Sequence, residues 1–485
     1  MSTRRALALS FLDRYASHVL GVISIVTLSR LLTPREIGLY AVTMVFVSLV
    51  STLRDFGAGQ YLVQEKDLTV ARIRAVWSLQ LGLGCALCAL VIGCRAPVAR
   101  FFGEPEIESI MLIVALNFAV SPFGSITYAW LTRHMMFGRL AILRLGGALA
   151  NHGVAIALAV LGWGAASLAW GYLAGAIATA AIATCLRDRT LPWLPGLDGL
   201  PKVAAFGLRA TLFGIMQTVR IETPLFLLGR FQGVVDASMF SRANGFMNLP
   251  QTFLLQAVHT VTLPLFSRAE RAGEKLDALF LRAFAYTAAL GWSFAIAASL
   301  LADPCVRLLY GEQWLAAIPV LRIVAIGAGL GMPLYLCAQV LISKGRIGDN
   351  VRYGAISTIA TFAVVLMAAP VGLLAVAWAS VLAALVMFLL WVPAVARNLG
   401  LAGIDVMATL GQSLLVALFA NALPLVLVAA YGTSPGDPLS FMVLAIAGGL
   451  AGFTLGLHVC RHPMRHEVTL LREHLGTRLG SRRGR

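Results

Sequence analysis

The chain has 485 residues, of which 59% are hydrophobic and 12% charged, and its net charge is +16. Its mean hydropathy is +0.84, and soluble domains carry roughly 25% charged residues, so too few charges are present to clothe several solvated domains. That excludes a soluble enzyme, a disordered chain and a secreted disulfide scaffold, and it indicates an all-α polytopic membrane protein.

The N-terminal Met1-Ser2-Thr3-Arg4-Arg5 precedes an apolar stretch to Leu32 without a small-residue cleavage site, so an uncleaved first span is expected. Apolar runs of about 20 residues, bounded by charges, Gly and Pro, then predict membrane spans over 11–32, 36–56, 73–94, 107–130, 140–161, 164–186, 204–229, 237–265, 279–302, 315–342, 351–370, 372–393, 407–431 and 439–460. The pairs 140–161/164–186 and 351–370/372–393 are joined by very short loops, so about twelve to fourteen spans are expected. From Arg461 onward the chain is polar and Arg-rich, which reads as a surface segment beside anionic lipid.

Fourteen spans put both termini on one side of the membrane, and Lys and Arg then gather on that side. The other side holds only Arg30, at the end of the first span, and Arg35, Arg95, Arg100, Arg230 and Arg307. Such a bias predicts that the basic side is cytoplasmic. The basic excess is thereby accounted for by loops near lipid headgroups or by an anionic cargo, with no call for nucleic acid.

The sequence repeats itself. Leu28, Ser29, Arg30, Glu36, Gly38 and Tyr40 have counterparts in Leu228, Gly229, Arg230, Asp236, Ser238 and Phe240 at a constant offset. Gly103 with Glu104 matches Gly311 with Glu312, and Gly164 with Trp170 matches Gly372 with Trp378, at a slightly larger one. The pattern predicts two six-helix lobes, 1–190 and 200–397, then two extra helices over 398–460 and a basic tail over 461–485. An even number of helices per half gives parallel repeats around an axis along the membrane normal, with a central cavity between lobes, which is transporter architecture.

Ionisable groups inside spans are costly, roughly 2.5–3.5 kcal/mol for Arg on insertion scales, and mark function by default. Arg14, Arg144, Arg220 and Arg242 lie within spans and are the candidates for a cationic cavity, since guanidinium groups match phosphate and carboxylate oxygens in pairs. Arg14 is close enough to a span end to be interfacial instead, and Arg209, Arg282 and Arg322 read as snorkelling groups. Asp13, Glu222, His152 and His259 are the candidates for ion coupling, or for structural pairing between helices. Arg220 and Glu222, two residues apart, face different directions on one helix.

No catalytic constellation is present: there is no GxSxG, P-loop, HExxH or dinucleotide fingerprint. Seven cysteines lie almost wholly in apolar runs, and the one CxxC, Cys85 and Cys88, has no partner pair, so neither a metal nor a cofactor is expected.

Several strings resemble a known family. LSRLLTPREIGLYAVTMVFVSLVSTLRDFGAGQYLVQ (28–64), MFSRANGFMNLPQTFLLQAVHTVTLPLFSR (239–268), GEQWLAAIPVLRIVAIG (311–327) and LISKGR (341–346) are similar to, and follow the order of, the polysaccharide transporter family within the multidrug, oligosaccharidyl-lipid and polysaccharide exporter superfamily. The resemblance implies a non-enzymatic flippase. It would turn polyprenyl-pyrophosphate-linked oligosaccharide units across a bacterial inner membrane, for exopolysaccharide or lipopolysaccharide synthesis, by alternating access. It also implies work alongside a polysaccharide polymerase and export machinery, and basic cavity residues that hold pyrophosphate or acidic sugars, a role carried here to Arg14, Arg144, Arg220 and Arg242. Arg30 and Arg54 lie in the matching strings and read as span-end residues that hold the lobe together with Asp55. Two rivals stand beside this reading. A drug or cation antiporter of the same superfamily would want acidic cavity residues, and a membrane polysaccharide polymerase would want a large outer loop.

Overall fold

Thr33 and Pro34 show how the sequence sets its own helix boundaries. Glu36 Oε2 accepts from the Thr33 backbone N at 2.7 Å and from Thr33 Oγ1 at 2.8 Å, while the Glu36 N–H donates to Thr33 Oγ1 at 3.3 Å. This reciprocal box, with Pro at the first helical position, satisfies donors that a helix start leaves unpaired. A few helices further on, Gly103 at φ +73° ends another helix with its N–H directed to the carbonyls of Ala99 and Arg100, a left-handed position that costs glycine nothing.

The computed structural model describes residues 3–55, 58–65, 67–198, 200–250, 256–432 and 437–467; the side chains of 3–14, 55, 58, 60, 64, 202–210, 212, 213 and 256–261 lie outside that description. Among the described residues the regular structure is helical. In order the helices are α1 (Thr3–Leu31), α2 (Pro34–Asp55), α3 (Ala58–Gln64), α4 (Val70–Phe102), α5 (Glu106–Val120), α6 (Pro122–Arg133), α7 (Phe137–Val160), α8 (Ala165–Cys185), α9 (Leu200–Phe231), α10 (Val234–Pro250), α11 (Gln256–Arg271), α12 (Asp277–Leu300), α13 (Ala302–Leu309), α14 (Ala317–Gly331), α15 (Leu334–Ser343), α16 (Ile347–Ala368), α17 (Leu373–Leu399), α18 (Gly403–Tyr431) and α19 (Pro438–Val459).

Ten of these segments, with α14 and α15 taken as one, are long and apolar enough to cross a membrane, and α5 with α6 makes an eleventh if that bent pair is one span. The three other expected spans fall on α1, α9 and α10 with α11, parts of whose side chains lie outside the described residues. The expected span 107–130 is broken: α5 and α6 meet at Ser121–Pro122 and bend by 48°. Proline supplies no N–H to the helix ladder and its ring crowds the preceding turn, so the axis turns there. Large apolar side chains such as Ile359, Met367, Leu418 and Val426 stay exposed on the spans, as lipid-facing surface requires.

The chain forms two compact units, Met1–Ser241 and Arg242–Arg485. In the first, α9 packs along α2 and α4, and α7 packs closely on α8. Small residues make the second contact possible: a Cβ on Gly171 would meet Ala155 Cβ at 2.6 Å and the Asn151 carbonyl at 2.7 Å. In lipid, where apolar burial gives no drive, such close backbone approach supplies the packing energy.

The second unit is built around Phe266, Phe280, Phe284, Leu336, Trp391 and Val395. The last helices, α18 and α19, lean on each other, and α18 also packs on α12. Just beyond α19, His462 is fully buried, with Nε2 3.3 Å from Ser413 Oγ and Nδ1 accepting from the Met464 N–H at 3.2 Å. Burial holds this imidazole down to about 4. A histidine kept neutral in the fold adds stability that is fully present above its unfolded value, about 6.5, and is lost as pH falls from there to its folded value. Hydrogen-exchange protection of residues 457–467, corrected for intrinsic rates, is therefore expected to fall between pH 6.5 and 4 in the wild type. The fall should vanish in His462→Phe; if it persists there, another group is responsible.

Candidate functional site

The bend between α5 and α6 opens space inside the first unit. A cavity of about 890 Å³ lies there, lined by the end of α2, by α3 and by α4 through α8. That volume falls within the range of about 300–1,000 Å³ typical of small-molecule sites. Gly147, Ala148, Gly175, Ala176 and Ala180 line it from α7 and α8. These are the same kind of small residues that bring the two helices together, and their lack of bulk leaves room on the inner side.

Two arginines point chemistry into this space. Arg144, in the second turn of α7, sends Nε and Nη2 to the Tyr128 hydroxyl at 3.2 and 2.5 Å, and its guanidinium lies 5.4 Å from the centre of that ring. Arg54, in the last turn of α2, donates from Nη1 to Ser121 Oγ at 3.3 Å and sits 5.8 Å from the Phe118 ring. Each cation thus rests against an aromatic face, which attracts it.

Around them are neutral hydrogen-bonding groups. Ser125 Oγ is 2.5 Å from Gln80 Oε1, and Asn117 Nδ2 donates to the Tyr172 carbonyl at 3.5 Å. Asn151, His152, Thr132 and Thr179 add to the polar lining, and among the described lining residues none is a carboxylate. The described lining is therefore basic and neutral. Amides and hydroxyls that can both donate and accept surround two guanidinium forks suited to paired oxygens. Chemically, the arrangement can hold an anionic, hydroxyl-rich group.

The residues expected from sequence go to different places. Arg144 and His152 line the cavity. A Cβ on Gly21 of α1 would sit 4.0 Å from His152 Nε2, so the imidazole lies at the edge where α1 meets α7. Arg220 does not line this cavity; on α9 its Nε donates to Gln217 Oε1 at 3.3 Å. Glu222, on the same helix, accompanies Ser48 of α2, with Oε1 3.0 Å from Ser48 Oγ. Arg242 belongs to the second unit and sits over two rings there, 5.3 Å from Trp314 and 5.8 Å from Tyr310. The side chains of Asp13, Arg14 and His259 lie outside the described residues.

Sequence reasoning assigned Arg54 to a span end and did not single out Gln80, Asn117, Tyr128 or Asn151. Arg54 does end α2, but the α5–α6 break lies beside that end and turns it into cavity wall. Polar residues within otherwise apolar runs were the available signal for the others. Single amides in a membrane helix more often bond to neighbouring helices, so spacing alone does not gather them.

Comparison with known proteins agrees with this architecture. The chain is 25% identical over 338 residues to the succinoglycan biosynthesis transport protein ExoT of Rhizobium meliloti (strain 1021), which is 67% of this chain and 66% of that one. It is 23% identical over 349 residues to the lipopolysaccharide biosynthesis protein WzxC of Escherichia coli (strain K12), covering 70% and 69%. Its fold is similar to that of the lipid II flippase MurJ in an inward closed conformation, at a TM-score of 0.77 and 14% identity, over 93% of this chain and 98% of that one. It is also similar to an inward-facing multidrug resistance MATE family transporter of the MOP superfamily, at a TM-score of 0.66 and 15% identity, over 80% and 98%. Residues 27–319, more than half of the chain, match the polysaccharide biosynthesis protein family, and this multi-pass membrane protein belongs to that family.

Proposed function

We propose that this protein is a flippase for polyprenyl-pyrophosphate-linked oligosaccharides, acting by alternating access in a bacterial inner membrane and catalysing no covalent step. The observation that carries the reading is the cavity of the first unit: lined by Arg54 and Arg144, with no carboxylate among its described lining residues, and furnished with amides and hydroxyls inside a membrane-spanning bundle. A pyrophosphate or an acidic sugar meets complementary charge there, and sugar hydroxyls meet groups that replace their lost water. An organic cation would be repelled, which disfavours the antiporter reading. The relatives named for succinoglycan transport and lipopolysaccharide biosynthesis support the same cargo class.

The Lys and Arg distribution supports cytoplasmic termini. An inside-negative potential then favours outward passage of an anion by about 2.3 kcal/mol per charge per 100 mV, reduced to the extent that arginines move with it. Polysaccharide polymerase and export machinery would take the product on the far side.

The test is reconstitution. Purified protein in liposomes holding a fluorescent polyprenyl-pyrophosphate oligosaccharide should expose the sugar of inner-leaflet molecules to an impermeant quencher or oxidant within minutes, while protein-free liposomes leave about half protected. Equal protection with and without protein would reject the flippase reading.

A further inference from the structure

Between the end of α8 at Cys185 and the start of α9 at Leu200 the chain is strapped to another helix. Leu191 is buried in a cluster with Ile73, Trp77 and Ile126. The Trp193 carbonyl accepts from Trp77 Nε1 at 3.1 Å. Ser78 Oγ lies 2.7 Å from the Gly196 carbonyl oxygen and accepts from the Gly196 N–H at 2.8 Å. The Arg187 guanidinium donates to the Pro192 carbonyl and lies 4.1 Å from the centre of the Trp193 ring and 5.5 Å from that of Trp77. Segment 187–198 is thus pinned along the first turns of α4. Its other edge is apolar and uncovered: Trp193, Leu194 and Leu197 are 57%, 69% and 71% exposed.

The pinning fixes the depth of that edge. At 1.5 Å per residue α4, with 33 residues, is about 50 Å long, well over the roughly 30 Å of a bilayer's hydrocarbon. Its charged residues lie toward its two ends, Arg72 and Arg74 at one and Arg95 and Arg100 at the other. The uncharged stretch between them, 75–94, is about 20 residues, the length that crosses the hydrocarbon. The boundary therefore falls near Ala75, and the strap, bonded to Trp77 and Ser78, lies at that level. Irregular backbone is costly there unless its polar groups are satisfied. The Trp193 and Gly196 groups are paired with α4, and Pro192 and Pro195 have no N–H to leave unpaired.

Charge gathers at the same place. The stem of Arg74 lies against Gly196, where a Cβ would meet Arg74 Cβ at 3.0 Å, and both Arg74 and Arg189 are exposed. Two acids share the segment, Asp188 and Asp198. Asp188 accepts from the Thr190 N–H at 2.9 Å and from its hydroxyl at 2.7 Å, which engages it within its own turn.

We propose that the 187–198 strap is a lipid-binding site of the first unit. Trp193, Leu194 and Leu197 enter the edge of the hydrocarbon, where an indole is favoured with its ring among acyl chains and its N–H toward water. Arg74 and Arg189, just outside, take the phosphate of an anionic phospholipid, as guanidinium groups do. Arg187 holds the Trp193 ring to α4, so the edge is presented by a fixed element. This goes beyond the flippase reading and does not depend on it, since the occupant is bulk lipid rather than cargo.

Tryptophan quenching in the full chain tests the depth. In nanodiscs, the emission lost in Trp193→Phe should be a component quenched by phospholipid brominated near the headgroup end of its acyl chains, and not by aqueous iodide. Leu194→Trp, which adds an indole to the same edge, should gain such a component. Quenching of these components by iodide and not by brominated lipid would put the edge in water or against another protein, and overturn the proposal. The headgroup is tested by native mass spectrometry from nanodiscs of equal phosphatidylglycerol and phosphatidylcholine. The wild type should retain phosphatidylglycerol in preference, and Arg74→Gln/Arg189→Gln should retain several-fold less of it with phosphatidylcholine unchanged. Equal retention in wild type and double variant would place any bound anionic lipid elsewhere on the chain and overturn the arginine site. A loss of translocation in any of these variants bears on the flippase reading alone, because neither readout involves cargo.

Discussion

Arg144→Gln is expected to lower translocation of an anionic cargo about ten- to a hundred-fold, with little change in thermal stability. Glutamine keeps a side chain that can reach Tyr128 but removes the charge and the planar fork. Hydrogen bonds to charged groups contribute about 1.5–3 kcal/mol, and each 1.4 kcal/mol is a factor of about ten in a rate or an affinity. Stability should hold because Arg144 lines an open cavity and glutamine can keep a hydrogen bond to the Tyr128 hydroxyl. Arg144→Lys should recover part of the rate, since it restores charge without the paired geometry. Tyr128→Phe should cost less than Arg144→Gln, because it leaves the cation in place and removes only the hydroxyl that aims it. The check is the initial rate in liposomes together with the melting temperature of the purified variants. A rate equal to wild type in Arg144→Gln would remove this cavity from the cargo path.

Trp314→Ala is the second large effect, and it falls on stability. Trp314 ends a short 3-10 turn, Glu312–Trp314, and its side chain is completely buried in the second unit. Removing a buried Trp costs about 3–5 kcal/mol from lost burial and the cavity left behind. Here it also takes away the ring over which Arg242 sits at 5.3 Å. The Nε of Arg242 is buried without a hydrogen bond, so the guanidinium depends on the faces of Trp314 and Tyr310. Cation–π contacts in desolvated settings contribute about 2 kcal/mol. Arg242→Ala should therefore lower the unfolding midpoint by less than Trp314→Ala, and the double variant should lose less than the two single losses added, because they share one contact. Thermal unfolding in detergent measures all three. If Arg242→Ala melts like wild type but stops translocation, Arg242 serves cargo and the aromatic pair only positions it.

These two arginines show where sequence reading stops. Both sit in apolar runs, both are costly there, and sequence gives them one role. Arg144 has a tyrosine hydroxyl and open space before it, while Arg242 has two ring faces around it. Nothing in the residues next to either one distinguishes the cases, since Tyr128 lies on another helix and Trp314 lies far along the chain. Arg54 makes the converse point. Its place at the end of a span suggested a peripheral role, and the bend at Ser121–Pro122 gives it a wall of the cavity.

The sequence by itself determined the membrane class, the all-helical fold and the family. Each follows from local information: length and apolarity of runs, and ordered motifs. Tertiary structure alone decided which polar groups meet. A cavity forms where a helix bends and its neighbours are small, and Arg54 reaches that cavity from the end of a different helix. Both depend on distances between segments remote in sequence, set by how α2, α4–α9 pack, and no periodicity along one helix encodes them.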